Sequence, residues 1–233
     1  MDRVVENKAV CFKDKDEYIH YCRTNPVLLS KFPFLPDLIK IEETLIKLKS
    51  TPQNTTTPPS EIIANPELEL ISVEFSGLEK LFNKQKFSPV KEQNFICVYR
   101  PQDQPDIKVT KAHPHDLLCL KIITERLDYR EVAREAGTTL GRIDDIVYAG
   151  IKKSILISPP SKIRRGKQFE SSCITDDSFF SSKVFTLQWH ITQKCDLHCR
   201  HCYDRSRRRE MTLEEGIQVL DDLYEFCREQ FVY

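Results

Sequence analysis

The residues that could do chemistry are concentrated in one stretch, Cys195-Asp-Leu-His-Cys199-Arg-His-Cys202-Tyr203. Its three cysteines stand at a C-x3-C-x2-C spacing, close enough for one short loop to present all three sulfurs to a single centre. Three thiolates can hold three corners of a cubane [4Fe–4S] cluster, which normally takes four cysteines. With only three local ligands, one iron stays open to bind something else. Cys195, His198, Cys199, His201 and Cys202 also carry zinc-binding atoms. Structural zinc sites usually pair two ligand clusters across an intervening segment, and the sequence has no second C-x2-C or H-x3-H. A grouping of unrelated buried or reactive thiols is the third reading. The spacing favours iron and sulfide.

The flanks must position that loop. From Val184 to Thr192 the residues alternate, with Phe185, Leu187, Trp189 and Ile191 on one face and Thr186, Gln188, His190 and Thr192 on the other. A period of two predicts a strand. Thr212-Leu-Glu-Glu215 reads as a capping box, and Leu213, Ile217, Leu220, Leu223, Cys227 and Phe231 follow at helical spacing. The expected order is strand, cysteine loop, helix, with the helix over Thr212 to Gln230.

This stretch, with the strand before it and Tyr203 after it, resembles the signature of the radical S-adenosylmethionine (SAM) superfamily. The resemblance implies that Cys195, Cys199 and Cys202 ligate a [4Fe–4S] cluster. The open iron then chelates the amino and carboxylate groups of SAM, and the reduced cluster cleaves SAM to a 5′-deoxyadenosyl radical. His201, just before the last cysteine, and Tyr203 fall where the family places flat side chains near SAM. Many relatives with peptide substrates read C-N-L-x-C-x-H-C-Y; here Asp196 replaces the Asn and leaves the ligands intact. The fold implied for 183–233 is the first βα unit of a partial (βα) barrel. The family's glycine-rich SAM segment, expected after a second strand, is not in the sequence. That reads as a piece of a longer protein or an interrupted frame, incomplete and inactive alone.

Composition narrows the rest. The chain has 233 residues, room for one to two ordinary domains. Its 35 basic and 35 acidic residues balance, so no general attraction to polyanions is implied. No apolar run is long enough for a membrane span, and Met1-Asp-Arg-Val-Val-Glu lacks signal-peptide architecture. Nine cysteines without such a signal, three of them clustered, point to metal binding in a reducing cytoplasm rather than to disulfides. Cys11, Cys22, Cys97, Cys119, Cys173 and Cys227 are scattered and read as small hydrophobic residues.

Residues 1–89 read as a mostly helical region of unassigned role. A helix from Asp14 to Thr24 ends before Pro26, Phe32 to Pro36 form a turn, and a second helix runs to about Lys49 with Leu38, Ile41, Leu45 and Leu48 on one face. Ser50 to Ser60 is a polar, proline-bearing loop. Ile71, Val73 and Phe75 alternate as a strand, and Gly77 to Phe82 is a turn or short helix.

Residues 90–160 show strands at Phe95–Arg100 and Ile107–Lys111, helices near Asp116–Glu125, Tyr129–Ala136 and Leu140–Lys152, and a closing strand at Ile155–Ile157. That is a winged-helix pattern. DNA binding is disfavoured, because Asp144 and Asp145 follow Arg142 on the third helix and would repel phosphates. A winged helix ahead of the cysteine loop resembles the PqqD-like recognition element of enzymes that modify ribosomally made peptides. The resemblance implies a precursor (leader) peptide as partner, added as a strand to an exposed sheet edge within Phe95–Arg100 or Ile107–Lys111. Residues 161–182 read as a linker, with Lys162, Arg164, Arg165 and Lys167 a solvated basic cluster. Arg205, Arg207, Arg208 and Arg209 could steer an anionic substrate; as solvated charge they need no such role.

The fold class expected is α+β to α/β. The whole layout resembles the thio(seleno)oxazole-modification radical SAM maturases, which implies an enzyme with a [4Fe–4S] cluster and SAM as cofactors and a flavodoxin or ferredoxin as electron donor. DNA and membrane are not expected partners. Two other readings stay open: a non-catalytic peptide-binding winged-helix protein with a vestigial loop, and a zinc-containing DNA-binding regulator.

Overall fold

The computed structural model describes residues 15–52, 58–86, 88–102, 104–166, 177–182, 184–189, 199–202 and 209–232. The architecture is mixed α/β, with helices and small antiparallel sheets. The chain divides into two compact units, Met1–Ile157 and Ser158–Tyr233.

The first unit opens with α1 (Lys15–Thr24), α2 (Pro26–Lys31) and α3 (Leu35–Ser50). Pro26 ends α1, as expected, and also begins α2. The Asn25 side chain accepts hydrogen bonds from the N–H groups of Val27 and Leu28 at 3.0 and 3.1 Å, and proline is well placed at the first helical position. After the loop come β1 (Ile63–Ala64), β2 (Leu68–Ser76), α4 (Glu79–Phe82), β3 (Val90–Tyr99), β4 (Lys108–Lys111), α5 (Pro114–Thr124), α6 (Tyr129–Glu135), α7 (Leu140–Lys152) and β5 (Leu156–Ile157). The expected order from Val90 onward is present. β2 and β3 are longer than the sequence pattern suggested.

The main sheet is antiparallel in the order β2-β3-β4. Its central strand explains the core. Ile96 and Val98 point to one face, where Ile41, Leu45 and Leu48 of α3 pack with Val73, Phe75, Leu78 and Val109. Cys97 and Tyr99 point to the other, against Cys119, Leu120 and Ile122 of α5 and Ile143, Ile146 and Val147 of α7. Four successive residues of β3 are therefore buried. β2 and β3 lie either side of the 89/90 boundary and pair from Leu68↔Tyr99 to Ser76↔Val90. β5 pairs with β1, as Ile63↔Ile157 and Ala64↔Leu156. Buried Asn65 ties these pieces together. Its Nδ2 donates to the carbonyls of Arg100 and Ser154 at 2.9 and 2.8 Å, and its Oδ1 accepts from Glu67 N at 2.9 Å. Arg100, also buried, pairs with both carboxylate oxygens of Glu67 and donates to Leu48 O at 2.6 Å.

In the second unit, Arg164 and Ser181 form an isolated antiparallel bridge beside a single 3-10 turn, Asp177–Phe180. The principal element is α8 (Leu213–Gln230). The expected capping box is present: Glu215 N donates to Thr212 Oγ1 at 3.2 Å, and Thr212 N to Glu215 Oε2 at 2.9 Å. The strand expected from Val184 is not formed over Val184–Trp189; residues 190–192 lie outside the described ones. Alternation prepares two faces, but a strand also needs a ladder partner, and among the described residues none pairs with this segment. Its apolar face is nonetheless used. The Phe185 ring packs on Phe226 of α8 at 5.0 Å between centroids, and Trp189 lies against Gly216.

Candidate functional site

Of the residues singled out by the sequence, Cys199, His201 and Cys202 are described; Cys195 and Tyr203 lie outside the described residues. Cys199 to Cys202 form a single turn, closed by Cys202 N donating to Cys199 O at 3.1 Å. That closure brings the two cysteines to the ends of one four-residue turn. Both are exposed, as are Arg200 and His201. Among the described residues no group of three or more His, Cys, Asp or Glu side chains is gathered for a metal ion. The structure thus unites two of the three proposed cluster ligands and His201 on one turn.

The other described cysteines behave differently; Cys11 and Cys173 lie outside the described residues. Cys22, Cys97 and Cys119 are buried. Burial, reinforced by the nearby Asp116 carboxylate, pushes the Cys97 thiol up to about 12 and the Cys119 thiol to about 11. Burial also raises Cys227. Such thiols stay protonated and inert near neutral pH, which suits their reading as small core residues. Asp116 itself is satisfied: it accepts from His113 N at 3.0 Å and pairs with Lys153 at 2.6 Å.

Beyond the loop, Arg209 is committed. Its guanidinium forks onto both carboxylate oxygens of Glu215, the capping residue of α8. That pair, with the Thr212 N–H, holds the Glu215 carboxyl down at about 2. Arg205, Arg207 and Arg208 lie outside the described residues. The pair was legible in principle, since a basic residue just before a capping box can reach its glutamate.

Of the two stretches expected to offer a peptide edge, Ile107–Lys111 holds the edge strand β4, and the other needs correction. Within Phe95–Arg100, the residues up to Tyr99 belong to β3, which bonds β2 on one side and β4 on the other, so the stretch offers no open edge. The sheet's true edges are β2 and β4. Among the described residues, no helix is long and apolar enough to cross a membrane.

No family model matches the chain. Over 74 residues, 30% of its length, the chain is 28% identical to the Fe-coproporphyrin III synthase of Methanosarcina barkeri (strain Fusaro / DSM 804), and it spans 18% of that protein's length.

Proposed function

We propose that this chain carries the cluster-binding segment of a radical SAM enzyme that modifies a ribosomally made peptide. The C-x3-C-x2-C spacing of Cys195, Cys199 and Cys202 carries the reading. Two of these thiols stand exposed at the ends of one closed turn, and exposed thiolates are the donors an iron–sulfur cluster takes. The partial likeness to the Methanosarcina synthase supports an enzyme and the radical SAM superfamily. The peptide substrate rests on the first unit, where a three-stranded antiparallel sheet precedes three helices in the order a PqqD-like leader-binding element would have.

Held there with SAM, a [4Fe–4S] cluster supplies the electron for reductive cleavage of SAM. The chain's own residues bind and orient. Cys199 and Cys202 would ligate from the turn, with Cys195 four residues earlier, and His201 between the last two cysteines would flank SAM. The Arg209–Glu215 pair anchors the end of the loop to the first turn of α8. An exposed turn gives a flavodoxin or ferredoxin in the same compartment, the cytoplasm, access to the centre.

Anaerobic reconstitution with iron and sulfide tests this. Iron and sulfide in equal amounts, lost on Cys199→Ala, are the expected result. Zinc in the purified protein, or iron binding indifferent to Cys199→Ala, would sink it.

A further inference from the structure

The turn that carries two of the proposed ligands is also a dithiol. Cys199-Arg-His-Cys202 is a C-x2-C pair inside the longer C-x3-C-x2-C run. Cys202 N donates to Cys199 O at 3.1 Å, which puts one cysteine at each end of a closed turn. Such a turn holds its first and fourth Cα atoms within about 7 Å of each other. A disulfide spans about 4.4–6.8 Å between Cα atoms. The backbone that presents two thiols to a metal therefore also brings them into the range at which they can bond to each other.

Access is the second condition, because thiol–disulfide exchange needs a sulfur that a small oxidant can reach. Cys22, Cys97 and Cys119 are buried and Cys227 is half-buried, whereas Cys199 and Cys202 are exposed. Among the described residues, the turn thus gathers the two exposed cysteines of the chain. Closing the bond costs little chain entropy, since the loop spans four residues that the Cys202–Cys199 hydrogen bond already draws together.

We propose that Cys199 and Cys202 form a reversible disulfide in the apoprotein, and that this bond closes the turn to iron. The oxidant is a small-molecule disulfide such as oxidised glutathione. One cysteine, as its thiolate, attacks that disulfide; a mixed disulfide forms and one glutathione thiol leaves. The second cysteine then attacks the protein-side sulfur, which makes the Cys199–Cys202 bond and releases the second glutathione. The two protons given up by the cysteines end on the two released thiols. The cysteine pair is oxidised by two electrons and the glutathione disulfide is reduced by two. Sulfurs bonded to each other have no thiolate to give a cluster, so the turn takes iron only after reduction. The gate rests on the cluster reading above; the disulfide itself does not.

The test uses the full chain, prepared reduced and without iron, then equilibrated with oxidised glutathione. Trypsin cleaves after Lys194, Arg200 and Arg205, so Cys199 and Cys202 fall in different peptides, Cys195–Arg200 and His201–Arg205. The expected product is these two peptides cross-linked, and dithiothreitol should separate them. Cys195 shares the first peptide with Cys199, so the same digest is run on Cys195→Ala, where the cross-link should persist, and on Cys199→Ala, where it should be lost. Iron and sulfide uptake is then compared for the oxidised and the re-reduced wild type, with loss expected in the first and recovery in the second. Glutathione left as mixed disulfides on separate cysteines, or a cross-link that disappears in Cys195→Ala, overturns the proposal. Equal iron uptake by the oxidised and reduced chains overturns the gate. A chain that forms the cross-link but takes up no iron when reduced sinks the cluster reading and the gate with it, and leaves the disulfide standing.

Discussion

The two units use their apolar residues differently. In the first, both faces of one sheet are covered: Ile96 and Val98 are fully buried under α3, and Cys97 is fully buried under the later helices. In the second, α8 turns Phe226 toward Phe185 and Gly216 toward Trp189, while Leu213, Ile217 and Leu220 stay exposed, Leu213 at 76%. α8 has no fully buried residue. Yet both units obey the periodicity of their sequences. What differs is whether a second layer is present to cover the face that the period prepares.

Truncation separates the two most strongly. Ile96→Ala should cost about 3 kcal/mol, from lost transfer free energy and the cavity left between sheet and α3. Leu220→Ala, on the exposed face, should cost less than about 1 kcal/mol. Denaturant unfolding, followed for each variant, checks both. A large cost at Leu220 would mean that this face is covered in solution.

Asn65→Ala should follow at about 2 kcal/mol. It leaves the carbonyls of Arg100 and Ser154 and the Glu67 N–H short of a partner at the point where β2, β3 and the turn before β5 converge. Gly150→Ala tests the same unit from the opposite direction. An added Cβ would sit 2.8 Å from Cys119 Sγ and 3.2 Å from Leu156 Cδ1, so overpacking should cost about 1–3 kcal/mol. Pairing it with Cys119→Ala should recover part of that loss; no recovery would show that the clash lies with Leu156 instead.

These positions also show what the sequence made legible. The alternation of Ile71, Val73 and Phe75 and the helical spacing in α3, α7 and α8 were readable, because each element's own period records the face it buries. The pairing of Ile63 with Ile157 was not, since a two-residue strand leaves no period and its partner lies in the far end of the unit. Asn25-Pro26 was read as a stop when it is also a start, because the same proline can end one helix and open the next. Val184–Trp189 had the period of a strand but, among the described residues, no ladder partner. At the candidate site, the cysteine spacing was legible from chemistry alone. The commitment of Arg209 to Glu215 went unread, because the run of arginines reads as solvated charge although the place of Arg209 just before the capping box carried the signal.

Thiol chemistry sharpens the contrast without unfolding either unit. Cys199 and Cys202 are exposed, whereas Cys97 and Cys119 are buried with their thiols held protonated. Brief alkylation of the native apoprotein near neutral pH should label the first pair and spare the second, as read by peptide mass spectrometry. Denaturant should then release Cys97 and Cys119 together, because both belong to one core cluster. Labelling of Cys97 under native conditions would mean that the first unit opens locally. Protection of Cys199 and Cys202 after iron–sulfide loading, and its loss with a chelator, would tie their exposure to the proposed ligand role.

The smallest effect expected is on pH. The Glu215 carboxyl is held at about 2 in the folded chain, against an ordinary value of 4.5, first by Arg209 and then by the Thr212 N–H. A depressed carboxylate adds stability that is present above the unfolded value and lost as pH falls through the folded one. The contribution of Glu215 should therefore be intact above about 4.5 and decay toward about 2. Because the pair is open to solvent, salt should weaken it. Glu215→Gln keeps an oxygen for the Thr212 N–H but gives up the charge that meets both Arg209 and the positive end of α8. Far-UV circular dichroism of the wild type and of Glu215→Gln, titrated side by side, should show a small helical difference above pH 4.5 that closes as the wild type is acidified. No difference between the two above pH 4.5 would place the role of Glu215 in its side-chain oxygen rather than its charge, and would leave Arg209 free to act elsewhere on the loop.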